Sequence, residues 1–144
     1  VKADSRQLRQ VFLNLILNAA DAFEGMDSPD DNQLIIRTNI VAGDAGESER
    51  WLDVRFIDNG AGIPDEHRDD IFDPFFTTKD PGRGTGLGLS VSFTIIEGFG
   101  GTIQAMTNEL HGTTMRIRLP LAEVVHDQKP NDIAETNHDR GNRG

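Results

Sequence analysis

Residues 59–85 gather Gly, Pro, Asp and Thr into a long aperiodic stretch between two strongly apolar elements. Ahead of it, Leu52-Asp53-Val54-Arg55-Phe56-Ile57-Asp58 alternates with the period of a strand; behind it, Gly86 to Phe99 reads as a helix ended by Gly100-Gly101. Such a stretch cannot run through a packed interior, because its backbone N–H and C=O groups would go unpaired there. It must lie over a core assembled by other segments, and loops of this length inside compact domains are functional or mobile. Only Asp65 to Phe72, with Pro64 at a natural first helical position, predicts a short helix within it.

The segments left to build the core carry clear periods. Over residues 4–24, Leu8, Val11, Phe12, Leu15, Ile16 and Ala19 recur three and four apart, predicting an amphipathic helix capped by Asp4 or Ser5 and ended by Gly25. The polar cluster 27–33 is a turn, and Leu34 to Val41 a strand. A loop over 42–50 leads to a second strand from Trp51 to Ile57, and so short a link predicts an antiparallel pair. Two further strands, Thr102 to Thr107 and Thr113 to Leu119, join around His111-Gly112. From Leu121 onward apolar residues thin out without period, which predicts a frayed tail over 121–144. The expectation is one domain, residues 1–120, of the α+β class: a two-layer α/β sandwich with a mixed, mostly antiparallel sheet and helices on one face.

Charge narrows the function. Fourteen Lys and Arg stand against 24 Asp and Glu, a net charge of −10, the wrong sign for affinity built on neutralising nucleic-acid phosphates. The same excess repels an anionic nucleotide unless backbone amides or a cation receive its phosphates. The absence of Cys excludes a disulfide framework, a thiol nucleophile and a Cys-zinc site, and points to a reducing compartment. His67, His111, His126 and His138 lack metal-ligand spacing. No apolar run is long enough to cross a bilayer, and Lys2, Asp4, Arg6 and Arg9 interrupt any secretory leader.

Three groups of residues can carry chemistry. Asn14, Asn18 and Asp21 lie at i, i+4 and i+7, within one narrow sector of the first helix. By themselves they read as a solvated face, but two poor helix formers in an apolar stretch ask for a reason, and an amide oxygen can ligate Mg²⁺ without adding charge. Asp58 shares the parity of Leu52, Val54 and Phe56, which aims its carboxylate toward the helix layer; an exocyclic amine of a base would satisfy it, and Gly60 and Gly62 leave room for a flat ligand. An ordinary Asp-Asn-Gly turn is the competing reading. Gly82-Arg83-Gly84-Thr85-Gly86-Leu87-Gly88-Leu89 opens the second long helix, where backbone N–H groups can wrap an anion. No strand precedes these glycines and no Gly-Lys-Ser/Thr follows, so neither a Rossmann nor a Walker A reading fits; a flexible hinge does. Lys79 and Arg83 bracket the loop, either as cations for a phosphate or as solvated loop charges.

In this order and spacing the blocks resemble the catalytic and ATP-binding domain of sensor histidine kinases, within the superfamily of gyrase, heat-shock chaperone, histidine kinase and mismatch-repair ATPases. Gln10 to Ala22 resembles the N box, Asp58-Asn59-Gly60-Ala61-Gly62-Ile63 the G1 box, Phe72-Asp73-Pro74-Phe75-Phe76-Thr77-Thr78-Lys79 the F box, and Gly84 to Leu89 the G2 box. Gly100-Gly101, Gly112-Thr113-Thr114 and Leu119-Pro120 are similar to the family's last hairpin, and the Phe-Phe-Thr-Thr-Lys form most resembles nitrogen-regulation and dicarboxylate-sensing kinases.

The resemblance implies a Bergerat-type ATP-binding fold with ATP and Mg²⁺ as cofactors. Asn18 would ligate Mg²⁺, with Asn14 and Asp21 alongside; Asp58 would accept from the adenine amino group, with Gly60, Gly62 and Ile63 around the base. Residues 63–85 would form the ATP lid, with Phe72, Phe75 and Phe76 as its apolar anchors. Thr77, Thr78, Lys79, Arg83, Gly84, Thr85, Gly86, Leu87 and Gly88 would serve the phosphates. Thr113, on the inward parity of its strand, would stand near Asp58. No His here resembles the family's phosphoacceptor, so the catalytic acceptor would lie on a dimerisation hairpin outside a monomeric fragment, and a response regulator would follow downstream. The resemblance implies a cytoplasmic domain and leaves open whether the parent is anchored in the inner membrane. An ATP-hydrolysing conformational switch is the alternative; in those relatives a Glu matching Asn14 activates water, and an amide cannot accept that proton. A degenerate nucleotide-binding scaffold is the third reading.

Overall fold

Helix α1 spans Ser5–Ala22 and begins where Asp4 can cap it: its carboxylate accepts from the backbone N–H of Arg6 at 2.8 Å and of Gln7 at 3.0 Å, satisfying two of the donors a helix start leaves over. The computed structural model describes residues 2–24, 26, 29–43, 46–79, 82 and 84–122, so the expected helix stop at Gly25, Arg83 and nearly all of the expected tail lie outside the described residues. Strands β1 (Leu34–Gly43) and β2 (Gly46–Asp58) pair antiparallel and continue through most of the expected 42–50 link. Helix α2 (Gly88–Gly98), β3 (Thr102–Thr107) and β4 (Thr113–Pro120) complete a four-stranded sheet of order β1-β2-β4-β3 with every pairing antiparallel.

The core lies between this sheet and the two helices. Val11 and Leu15 of α1 and Ile96 of α2 meet Val54, Phe56, Ile103, Met115, Ile117 and Leu119, all buried. Phe12 sets its ring edge-on to Phe56, with centroids 5.4 Å apart. This inward set carries Asp58 with it, because Asp58 ends the alternation that begins at Leu52.

Two expectations give way. Asp65 to Phe72 is not a helix: Pro64 precedes a single 3-10 turn, Asp65–His67, followed by turns. Within the segment only Ile71 is buried, while Phe72 is partly buried against the core, so too few apolar contacts offset the cost of nucleating a helix. α2 starts at Gly88 instead of Gly86, because Gly86 sits at φ 65°, outside helical geometry.

On the sheet face away from the helices, Asp53 is completely buried although it lies opposite the core. Arg55 donates to it at 2.8 Å, and Arg116 of β4 donates from Nε at 2.6 Å. Burial raises the Asp53 carboxyl, but hydrogen bonds from Arg55 and Arg116, then their charges, outweigh it and hold the group below its ordinary value.

Candidate functional site

The polar stripe of α1, the end of β2, the 61–79 segment and the start of α2 enclose a cleft of about 460 Å³. Asn14, Asn18, Asp21, Asp58, Gly62, Ile63, Thr77, Thr78, Lys79, Gly84, Thr85, Gly86, Gly88 and Thr113 all line it. Gly60 and Leu87 do not, and Arg83 falls outside the described residues. Gly60 instead donates its N–H to Asp58 Oδ1 at 2.9 Å, and Leu87 donates its N–H to Thr85 Oγ1 at 3.3 Å.

Asp58 is 4% exposed and stands at the cleft wall. Its Oδ1 accepts from the backbone N–H of Gly60 and, at 3.0 Å, of Thr113. Thr113 therefore meets Asp58 through its amide. Among the described residues nothing donates to Oδ2, which leaves a fixed acceptor for a ligand's N–H. The surrounding turn is built for this approach: Asn108 donates from Nδ2 to the Asp58 carbonyl at 2.8 Å and accepts at Oδ1 from Leu110 and Gly112. A Cβ on Gly112 would come within 2.1 Å of that same carbonyl, so only glycine lets the β3–β4 turn close on the end of β2.

Across the cleft, Asn14 donates from Nδ2 to the Gly88 carbonyl at 3.1 Å and to Ser92 Oγ at 3.2 Å. Ser92 is fully buried and itself donates to Gly88. Asn14 thus ties α1 to the first turn of α2 and keeps its amide oxygen in reserve. Asn18, half-buried one turn on, makes no side-chain hydrogen bond among the described residues. Lys79 reaches over the cleft to pair with Asp21 Oδ2, so the cleft's cation closes on its own acidic wall. No cluster of three His, Cys, Asp or Glu among the described residues could hold a metal. A cation here would need the Asn amides, water and a ligand's own oxygens, a donor set that suits Mg²⁺.

The segment over 63–85 is fastened at separate points. Arg68 pairs with Asp65 and donates to Thr107 Oγ1 at 2.7 Å, fixing it to the end of β3. Phe75 donates its N–H to the Gly86 carbonyl at 2.9 Å, joining the phenylalanine cluster to the glycine loop. Phe72 packs on Phe93 and Phe76 on His67. Phe75 corrects the expectation of three apolar anchors: it is 73% exposed and held at φ 69°. Asn108 and Ser92 went unremarked in the sequence, although an Asn at a hairpin start and a Ser one turn after a helix-initial Gly were both visible there.

The chain matches the family of histidine kinase-, DNA gyrase B- and HSP90-like ATPases over residues 3–123. It is 39% identical over 140 residues to the sensor kinase CckA of Brucella abortus (strain 2308), covering 92% of this chain and 14% of that protein. With the two-component sensor PprA of Pseudomonas aeruginosa it shares 41% identity over 122 residues, covering 85% and 13%. The nitrogen regulation protein NtrY of Azorhizobium caulinodans, at 35% identity over 91% of this chain and 16% of that protein, and the sensory histidine kinase/phosphatase NtrB of Rhizobium meliloti, at 36% over 85% and 32%, are also relatives. The chain spans about one seventh of the length of CckA and PprA. A solved catalytic domain of histidine kinase ThkA superposes with a TM-score of 0.63 at 33% identity, over 83% of this chain and 70% of that one. No described helix is long and apolar enough to cross a membrane. With its cleft built on Asp58 and the asparagine stripe, this chain belongs to the histidine kinase-, DNA gyrase B- and HSP90-like ATPase family, as an ATP-binding domain of the sensor histidine kinase kind.

Proposed function

We propose that the chain is the catalytic domain of a two-component sensor kinase, donating the γ-phosphoryl group of ATP to a histidine on a dimerisation hairpin of the parent protein, from which a response regulator receives it. The observation that carries the reading is Asp58, a buried carboxylate whose Oδ1 accepts from two backbone donors while Oδ2 meets no donor among the described residues and can accept from the adenine amino group. Gly62 and Ile63 then border the base. Asn18, with Asn14 and Asp21 beside it, would hold Mg²⁺, which would supply positive charge for the phosphates on an otherwise acidic domain. Gly84, Thr85, Gly86 and Gly88 offer backbone to the phosphates at the start of α2, and Thr77, Thr78, Lys79 and Arg83 close over them as part of a lid spanning 63–85. The working unit is residues 1–120, in the cytoplasm and monomeric in isolation.

A water-activating switch is the weaker reading. Asn14 is engaged through its amide with Gly88 and Ser92, where a base would have to stand. The test is to incubate the chain with γ-labelled ATP, Mg²⁺ and a separately purified histidine hairpin from a relative. Label on the hairpin is expected, and its loss with Asp58→Asn ties it to this cleft. Release of inorganic phosphate with an unlabelled hairpin would favour the switch.

A further inference from the structure

The helix-free face of the sheet carries a second, unassigned surface. Cross-strand register puts Arg37 of β1 opposite Arg55 of β2, and Arg55 opposite Arg116 of β4, so three guanidinium side chains occupy one row across three neighbouring strands. In the next row Asp53 stands opposite Arg118, whose guanidinium lies 5.3 Å from the centre of the Trp51 ring. Among the described residues the three arginines of the first row share one buried carboxylate, Asp53, on a chain of net charge −10. Like charges set directly opposite destabilise a sheet. Asp53 relieves only part of this, because both of its oxygens are already committed to Arg55 and Arg116.

What remains is presented outward. The Arg55 side chain is 41% exposed and pairs with Asp53 through Nε, leaving its terminal amino groups free among the described residues. Arg37 is exposed and makes no ion pair among the described residues. The strands fix the spacing of the backbone that carries these groups. From β1 to β4 the row measures about 10 Å, within the side-chain reach of carboxylates two residues apart, about 7 Å, on one face of an extended chain.

We propose that the Arg37–Arg55–Arg116 row is a docking surface for an acidic, extended polypeptide segment of a partner protein. Charge complementarity selects that occupant. A long polyanion such as RNA, or an anionic bilayer, must bring its whole charge up to a domain of net charge −10, whereas a short acidic segment meets only the local cationic block. The surface lies on the opposite face of the sheet from the nucleotide cleft, so its occupancy is separable from ATP binding.

The probe is a labelled peptide of about twelve residues alternating Glu with Ser, titrated by fluorescence anisotropy into the full chain at about 20 mM and about 150 mM salt. Saturable binding is expected, weakened about tenfold or more by Arg37→Glu and by the higher salt, and absent for the matching Gln/Ser peptide. Arg37→Glu removes none of the partners of Asp53 and sets an opposite charge across from Arg55, so ADP titration of that variant should match the parent chain and its thermal unfolding should show no loss of stability. Equal peptide binding by Arg37→Glu would overturn the proposal. So would equal binding of the Gln peptide, tighter binding of oligouridylate or phosphatidylserine vesicles, or salt-reversible self-association that blocks the peptide.

Discussion

Asp58→Asn tests the nucleotide site with the least disturbance to its frame. The Asn carbonyl oxygen can take over Oδ1 and keep both backbone donors, from Gly60 at 2.9 Å and Thr113 at 3.0 Å. That choice places the side-chain NH₂ where Oδ2 was, so a donor now faces the adenine amino group. One charge-assisted hydrogen bond is lost, worth about 1.5–3 kcal/mol, and affinity should fall about ten- to a hundredfold. The contact concerns the base alone, so ADP and ATP must weaken by the same factor. Isothermal titration with both nucleotides reads this directly, with far-UV circular dichroism to show that the variant is folded. Unchanged ADP affinity in a folded variant removes Asp58 from the site; a loss confined to ATP would mean that the residue faces the phosphates.

Asn18→Ala should shrink the gain in ATP affinity that Mg²⁺ gives while leaving adenosine binding nearly intact; titrations with and without Mg²⁺ decide, and an equal gain in both proteins refutes the ligand role. Amide exchange across 63–85 should slow on adding ATP and Mg²⁺ and slow less with ADP, while α1 and the end of β2 stay protected throughout. For that to happen Lys79 must exchange Asp21 for phosphate, so identical protection by the two nucleotides would exclude the γ-phosphate as its partner. The lowered Asp53 group predicts an acid response with a definite sign: the folded carboxyl titrates below its ordinary value, so its stabilisation is full above about pH 5 and drains away as the pH falls through the folded value. Thermal unfolding of the parent chain and Asp53→Asn should therefore differ most near neutrality and converge in acid; a constant gap down to pH 2 would contradict the pairing.

Local patterns carried much of this structure and long-range ones carried the rest. The alternation from Leu52 to Asp58 foretold which way Asp58 points, because side-chain direction in a strand is fixed by parity alone. The same rule placed Asp53 on the outer face but said nothing of its burial or of its partner Arg116, sixty-three residues further on. Asn14 was legible as a polar residue on an apolar helix; its partners Gly88 and Ser92 were not, since they meet it only when α2 docks. Local propensity also misjudged Asp65 to Phe72, where a proline and a few charged residues imitate a helix start without the buried face that would sustain one.

The backbone tie between Phe75 and Gly86 makes the nucleotide loop legible from outside. Phe75 stays at φ 69°, a costly conformation for an aromatic residue, with its N–H held by Gly86. A Cβ on Gly86 would come within 2.4 Å of the Phe75 carbonyl carbon, so the two segments touch without slack. If Gly86 shifted to wrap a phosphate, this contact would carry Phe75 with it. The bare ring would then act as the pointer of a gauge, translating the filling of a sheltered cleft into the position of an exposed aromatic group.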